Sequence, residues 1–229
     1  MLASISTIPF DLAPFRLSGT VYGALLNHRS ALAELGLKAA APPYNALPRA
    51  PVLYVKPRNT LAASGDIIEI PADSTELEIG ACLGVVIGRP MCNVPAAEAL
   101  DYVAGYLIVN DVSVPHEVFY RPSIRQKARD GFCPLGPAVV KRDAISSPDA
   151  VIIRTFVDGA LVLTSTTADL VRPAARLLAD VTEFMTLAPG DVLALGAARP
   201  PPRVRAGQRV DIEIDGLGTL SNRFAAAAS

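Results

Sequence analysis

Twenty prolines and sixteen glycines cut this chain into short apolar runs, and that punctuation constrains the fold more than any other feature. Proline removes a backbone donor and fixes φ, and glycine weakens a regular element that it interrupts, so long helices are excluded over most of the sequence. Between the breaks the residues are mainly Val, Ile, Leu and Thr, which suit a pleated, half-buried surface. Strands are expected at 20–26, 52–55, 67–70, 77–87, 103–110, 151–157, 161–164, 192–195, 210–214 and 219–224. These runs do not alternate with helices, which argues against a doubly wound parallel sheet and for a β-rich α+β fold.

The strongest helix signal spans 174–187, where Leu177, Leu178, Val181, Phe184 and Met185 recur at three-to-four spacing before an APGD turn. A shorter helix is expected after Pro95, with Ala97, Leu100 and Ala104 inward. The proline-rich stretch 42–51 reads as a loop, giving an N-terminal segment, 1–50, packed on a main body, 51–229.

At 229 residues and 51% hydrophobic content the chain can bury a proper core. Its 21 basic and 22 acidic residues balance, so no net field favours nucleic acid or an anionic membrane, and neither is expected as a partner. Apolar runs fall short of the roughly 20 residues that cross a bilayer. Met1 to Phe10 lacks the basic start of a secretion signal, so the cytoplasm is the expected location. Cys82, Cys92 and Cys133 are odd in number and form no C-x-x-C pair, which predicts reduced thiols and no zinc site. His28 and His116 have no zinc-ligand spacing either, and read as surface or hydrogen-bonding residues.

Phosphate-binding glycine loops and a G-x-S-x-G elbow are absent. The stretch NDVSVPHEVFYRPSIRQKARDG, 110–131, instead sets Arg121, Arg125, Lys127 and Arg129 against Asp130 in a near-neutral protein. Guanidinium forks and ammonium charges of this kind suit a small di- or tricarboxylic acid, and a solvated loop is the plainer reading. Asp111 ends the apolar run YVAGYLIVN, where a carboxylate is either a turn cap or a ligand. Lys56, in VKPRNT, repeats the pattern of a charged group at a strand exit.

KPRNT, LGVVIGR, DYVAGYLIVNDVS, RQKARDG, the turn at Asp158 and Gly159 leading to TTADL, and EFMTLAPGDVLALG occur here in one order. With these motifs the chain resembles the fumarylacetoacetate hydrolase family over 19–224. LLNHRS and FYRPSIRQKARDGFCPLGPAV resemble the N-terminal half, or separate N-terminal subunit, of the isomerase/decarboxylase branch that acts in homoprotocatechuate (4-hydroxyphenylacetate) breakdown. The resemblance implies a mixed β-roll or sandwich with few helices, and a Mg²⁺ ion held by an E-x-E pair and a later Asp. Both Glu positions fall just before the LGVVIG run, on Gly80 and Cys82, so Asp111 is the one surviving ligand position and Mg²⁺ binding is expected to be weak or absent. The E-L-E of Glu76 and Glu78 lies four residues upstream, roughly 13 Å along a strand, and is a decoy unless the strand slips.

By the same resemblance Lys127 matches the family's active-site lysine. Glu34 is kept from a lid His–Glu dyad whose His position holds Ala31. GAA at Gly196–Ala198 replaces a G-T-P motif, and Pro115 and His116 replace an Arg and an Asp. The candidate catalytic residues are Lys127, Asp111 and Glu34, and the candidate substrate-binding residues are Lys56, Arg121, Arg125, Tyr120 and Thr167. Asp111, Lys127 and Arg121 are expected to line one pocket, with Lys56 near them.

Three functions are carried forward. The chain is an N-terminal subunit of the isomerase/decarboxylase that binds an oxo-dicarboxylate through Lys56, Arg121, Arg125 and Lys127 and moves a proton for the enol-to-keto step without metal, a non-catalytic partner of a metal-bearing paralogue, or a Mg²⁺-dependent hydrolase or decarboxylase acting alone. A homodimer or a heteromer with a paralogous subunit is expected.

Overall fold

The apolar runs form strands of two large sheets and one two-stranded ladder, and period-two alternation sorts their side chains between two cores. The computed structural model describes residues 7–8, 19–117 and 122–227. Its first strands in chain order are β1 (Thr7–Ile8), β2 (Val21–Leu25), β3 (Val52–Lys56), β4 (Leu61–Ala62), β5 (Ile67–Ile70), β6 (Leu77–Glu78), β7 (Ala81–Ile87), β8 (Val103–Asn110) and β9 (Cys133–Lys141). They are followed by β10 (Ile152–Val157), β11 (Ala160–Thr166), β12 (Val192–Ala194), β13 (Arg203–Val204), β14 (Arg209–Ile214) and β15 (Gly218–Ala226). The α-helices are α1 (Arg29–Leu35), α2 (Ala96–Ala99), α3 (Ile124–Lys127) and α4 (Ala174–Thr182). The fold is α+β and mostly strand, as expected.

The larger sheet runs β1-β9-β8-β7-β12-β2-β3, with β4 added on β9, and the smaller runs β11-β10-β14-β15-β5. The larger sheet is mixed, since β12 pairs parallel with β2 and antiparallel with β7. Every residue of β7 is buried because both of its faces are covered. Leu83, Val85 and Ile87 join the larger core with Ile68, Ile212 and Phe224 of the smaller sheet and Leu177, Leu178 and Val181 of α4. Cys82 and Val86 point the other way, into a second cluster with Leu107, Val109, Leu135 and Val192. Each fully buried aliphatic side chain is worth roughly 1.5–3 kcal/mol, so β7 draws stability from both sides.

Two expectations need correction. The helix over 174–187 ends at Thr182, where the Thr182 carbonyl and Oγ1 turn to accept from Asn93 N and Val94 N, and Phe184 is left exposed at 66%. After Pro95 it is Ala99 that is fully buried, while Ala97 is exposed. β9 was hidden in the sequence by Pro134, Gly136 and Pro137, yet it pairs with β8 through Val109↔Leu135 and Ile108↔Gly136.

Candidate active site

The site lies where β7 and β8 run out together. The β7–β8 ladder pairs Ala81 with Asn110, and one step further Asp111 N donates to Gly80 O at 2.9 Å. Two more steps on, Glu78 N donates to Ser113 O at 2.8 Å and Ser113 N returns a bond to Glu78 O at 3.2 Å. Leu77, Ile79, Ala81 and Leu83 all sit in the larger core, so the strand keeps its register through 79–80 and Glu78, Gly80 and Cys82 share the opposite face. The strand has not slipped. Gly80 is closely covered: a Cβ there would lie 2.6 Å from the Asp111 carbonyl oxygen.

Asp111 is buried and held between two lysines. Lys127 Nζ, at the end of α3, donates to Oδ2 at 2.6 Å, and Lys56 Nζ, at the end of β3, lies 2.8 Å from Oδ1. Lys56 directs its three N–H groups at the carbonyls of Val112 (2.8 Å), Lys127 (2.9 Å) and Phe132 (2.8 Å). Its approach to Oδ1 is therefore a charge contact, and that buried oxygen accepts no hydrogen bond among the described residues. Burial by itself would raise the Asp111 carboxyl, but the Lys127 and Lys56 ammoniums outweigh it and hold the group well below the usual carboxylate range. Burial lowers the Lys56 ammonium against the pull of Asp111. The Lys127 ammonium also stands 4.7 Å over the Tyr54 ring, and burial followed by the Asp111 charge keeps the Tyr54 hydroxyl protonated.

These groups open on a cavity of about 50 Å³ whose polar lining includes Tyr54, Glu78, Asp111, Ser113, His116, Lys127 and Arg199. A second, apolar cavity of about 320 Å³, walled by Val52, Leu53, Pro122 and Ile124, shares Leu25, Tyr54 and Lys127 with it. The first has room for a carboxylate-sized group and the second for the carbon body of a small acid. Glu78, 4% exposed, is raised by burial, with Arg199 at 3.7 Å and Arg203 at 3.4 Å drawing it down.

The structure thus brings Asp111, Lys127 and Lys56 together, as the sequence predicted. Glu34 stands outside the cavity wall, in a two-pronged pair with Arg199 at 2.9 and 3.0 Å. Arg125 is exposed and pairs with Asp73 at 3.1 Å. Thr167 is buried elsewhere, its Oγ1 accepting from Val151 N at 3.0 Å. Tyr120 and Arg121 lie outside the described residues. Sequence reasoning missed Tyr54, Glu78, Ser113 and Arg199. The signal for Glu78 was present, since positions 78, 80 and 82 of one strand face the same way. Cys82 is buried, its Sγ directed at Val109 O, and burial pushes its thiol far up. Among the described residues no three His, Cys, Asp or Glu side chains are placed to hold a metal ion.

Comparison with known proteins supports the resemblance. The fumarylacetoacetate (FAA) hydrolase C-terminal family matches residues 20–225. A 4-hydroxyphenylacetate degradation bifunctional isomerase/decarboxylase of Escherichia coli is 39% identical over 206 residues, 90% of this chain and 47% of that protein. The chain spans about half the length of the curated relatives it matches first. Among solved structures, 5-carboxymethyl-2-hydroxymuconate delta-isomerase from Mycobacterium smegmatis has a TM-score of 0.80 at 32% identity, covering 93% of this chain and 81% of that one. Maleylpyruvate hydrolase from Sphingobium sp. SYK-6, in complex with manganese(II) and pyruvate, has a TM-score of 0.75 at 25% identity, with 91% and 71% covered.

Proposed function

The chain belongs to the fumarylacetoacetate hydrolase family, and from that premise we propose that it binds a small enol- or oxo-dicarboxylate and isomerises it without a metal, as the N-terminal subunit of an isomerase/decarboxylase. The observation that carries this reading is the Lys56–Asp111–Lys127 group opposite Gly80. The family's divalent ion does not fit here. Gly80 has no side chain, Cys82 is a buried protonated thiol, and Asp111 already has an ammonium within 2.8 Å of each oxygen. A hard cation would meet Asp111 already set between two ammoniums, and Glu78, the other carboxyl of the cavity, already paired with Arg199 and Arg203.

Enol-to-keto conversion is within reach of the residues that are present. The enol oxygen of a 2-hydroxy-2,4-dienoate gives up its proton, the electron pair shifts along the diene, and the terminal diene carbon gains a proton. Negative charge on the dienolate is held by the Lys127 ammonium, which Asp111 Oδ2 anchors at 2.6 Å. Decarboxylation of the related tricarboxylate needs a stronger electron sink, which the described residues of this site do not supply.

The purified chain is expected to convert 2-hydroxyhepta-2,4-diene-1,7-dioate slowly, unaffected by EDTA and lost in Lys127→Ala, and to leave 5-oxopent-3-ene-1,2,5-tricarboxylate intact. Decarboxylation raised by Mg²⁺ and abolished by EDTA in the chain alone would sink the metal-free reading. The second reading, a non-catalytic partner, is favoured by Gly80 and Cys82 at the positions where the family resemblance sets its two Glu, and takes over if both activities appear only after mixing with a paralogue that carries E-x-E.

A further inference from the structure

Where the family resemblance sets a lid histidine, this chain has Ala31, and Ala31 lines the same cavity as His116. The site has therefore an imidazole, but one delivered from the strand exit five residues beyond Asp111. His116 Nδ1 lies 2.9 Å from the Val114 carbonyl oxygen. A carbonyl only accepts, so Nδ1 carries the hydrogen and Nε2 the lone pair. The backbone that fixes this tautomer is itself tied down, because Val114 N donates to Gln126 O of α3 at 3.0 Å.

We propose that His116 is a catalytic residue of this site, the base that takes the enol proton and moves it in the isomerisation, filling from position 116 the place that Ala31 leaves. The inference rests on the isomerase reading above. In the step, the enol O–H bond breaks as its proton passes to Nε2, the carbonyl forms, the diene electrons shift, and a C–H bond forms at the diene terminus. The proton of that new C–H bond is the one the imidazolium gives back, directly or through a water that donates one proton as it takes another, and no oxidant or second reactant is needed.

The other polar groups facing the cavity are poorer choices. Asp111 is held as a weakly basic carboxylate between two lysines, Lys127 is one of them, and the Arg199 guanidinium has donors and no acceptor. Tyr54 is held protonated, and Glu78 is bound by Arg199 and Arg203. Burial lowers His116 first, the Val114 carbonyl opposes, and Lys127 and Arg199 lower it further against Asp111, so the imidazole is neutral and able to accept near pH 7.

The test uses the full chain with His116→Gln, His116→Gly and, as the comparison carboxyl, Glu78→Gln. Isomerisation of 2-hydroxyhepta-2,4-diene-1,7-dioate is followed across pH, together with wash-in of deuterium at C3 of 2-oxoadipate by proton NMR. His116→Gln is expected to lose about 10²–10⁴-fold in kcat and in deuterium wash-in, with KM little changed and the acid limb of the pH profile gone. Added imidazole should restore His116→Gly, and Glu78→Gln should keep the limb. Wash-in by His116→Gln within threefold of wild type overturns the assignment even if isomerisation is confirmed. Wash-in without isomerisation sinks the isomerase reading while the histidine variants still decide His116, and a wild type that does neither overturns both.

Discussion

Asp111 is buried and ionised because two lysines, not a metal, face its oxygens. Removing the carboxylate leaves both ammoniums buried without a counter-charge, so Asp111→Ala is expected to lower the unfolding free energy by roughly 3–5 kcal/mol, measured by urea denaturation at pH 7. Its folded acidity is depressed, so the stability it gives is present above about pH 3.9 and is lost as pH falls below that value. A variant as stable as the parent would mean that the lysines do not depend on Asp111. At this scale the sequence was legible where a charged residue ends an apolar run, as at Asp111 and Lys56, or sits in a family motif, as at Lys127. It was silent on Tyr54 and Arg199, whose place in the cavity comes from pairings between distant strands and loops. It did not show the partner of Arg125, which finds Asp73 across 52 positions of sequence.

Strand pairing explains why Gly80 cannot simply be converted back to glutamate. Asp111 N bonds to Gly80 O, and a Cβ at 80 would meet the Asp111 carbonyl oxygen at 2.6 Å and its Cβ at 3.0 Å. Backbone is in the way, so β7 and the β8 exit would have to part. Gly80→Ala is expected to cost about 1–3 kcal/mol, read from the shift of the denaturation midpoint. Gly80→Glu with Cys82→Glu is expected to be less stable still and to bind Mg²⁺ no tighter than the parent by calorimetry, because Lys56 and Lys127 still grip Asp111. Micromolar Mg²⁺ binding in that double variant would show the lysines to be displaceable. Strands with clean β-branched runs, such as 103–110 and 67–70, were read from the sequence at their observed bounds, because burial on both faces or strict alternation leaves little else for them to do. β9 was not, since its two prolines and a glycine argue locally against a strand that tertiary pairing with β8 imposes.

At the scale of the whole molecule α1 lends Ala31 to the cavity wall, and α1 begins on a titratable cap. His28 Nδ1 accepts from Ser30 N at 3.2 Å and lies 2.8 Å from Ser30 Oγ, whose oxygen in turn accepts from Arg199 N at 2.8 Å. One imidazole thus ties the helix bearing Ala31 and Glu34 to the loop bearing Arg199. Only neutral histidine can accept at Nδ1, and a lost N-cap costs about 1 kcal/mol. Burial lowers His28, with Asp169 and the Thr166 backbone opposing, and burial lowers His116 as well. Both then bind protons more weakly folded than unfolded, so below the unfolded value of about 6.5 the unfolded chain takes up protons that the fold resists. Their stability is present above that pH and is lost as pH falls. Glu78 acts with the opposite sign just above its unfolded value of about 4.3, since its folded carboxyl is raised, so the wild-type curve alone mixes the two effects. The variant His28→Asn separates them, because asparagine caps a helix and does not titrate. Its melting temperature is expected to match the wild type near pH 7.5 and to fall less between pH 7 and 5.5, with amide exchange over 29–35 slowed at the lower pH. Equal slopes in the two proteins would mean that acid does not open the site through this cap.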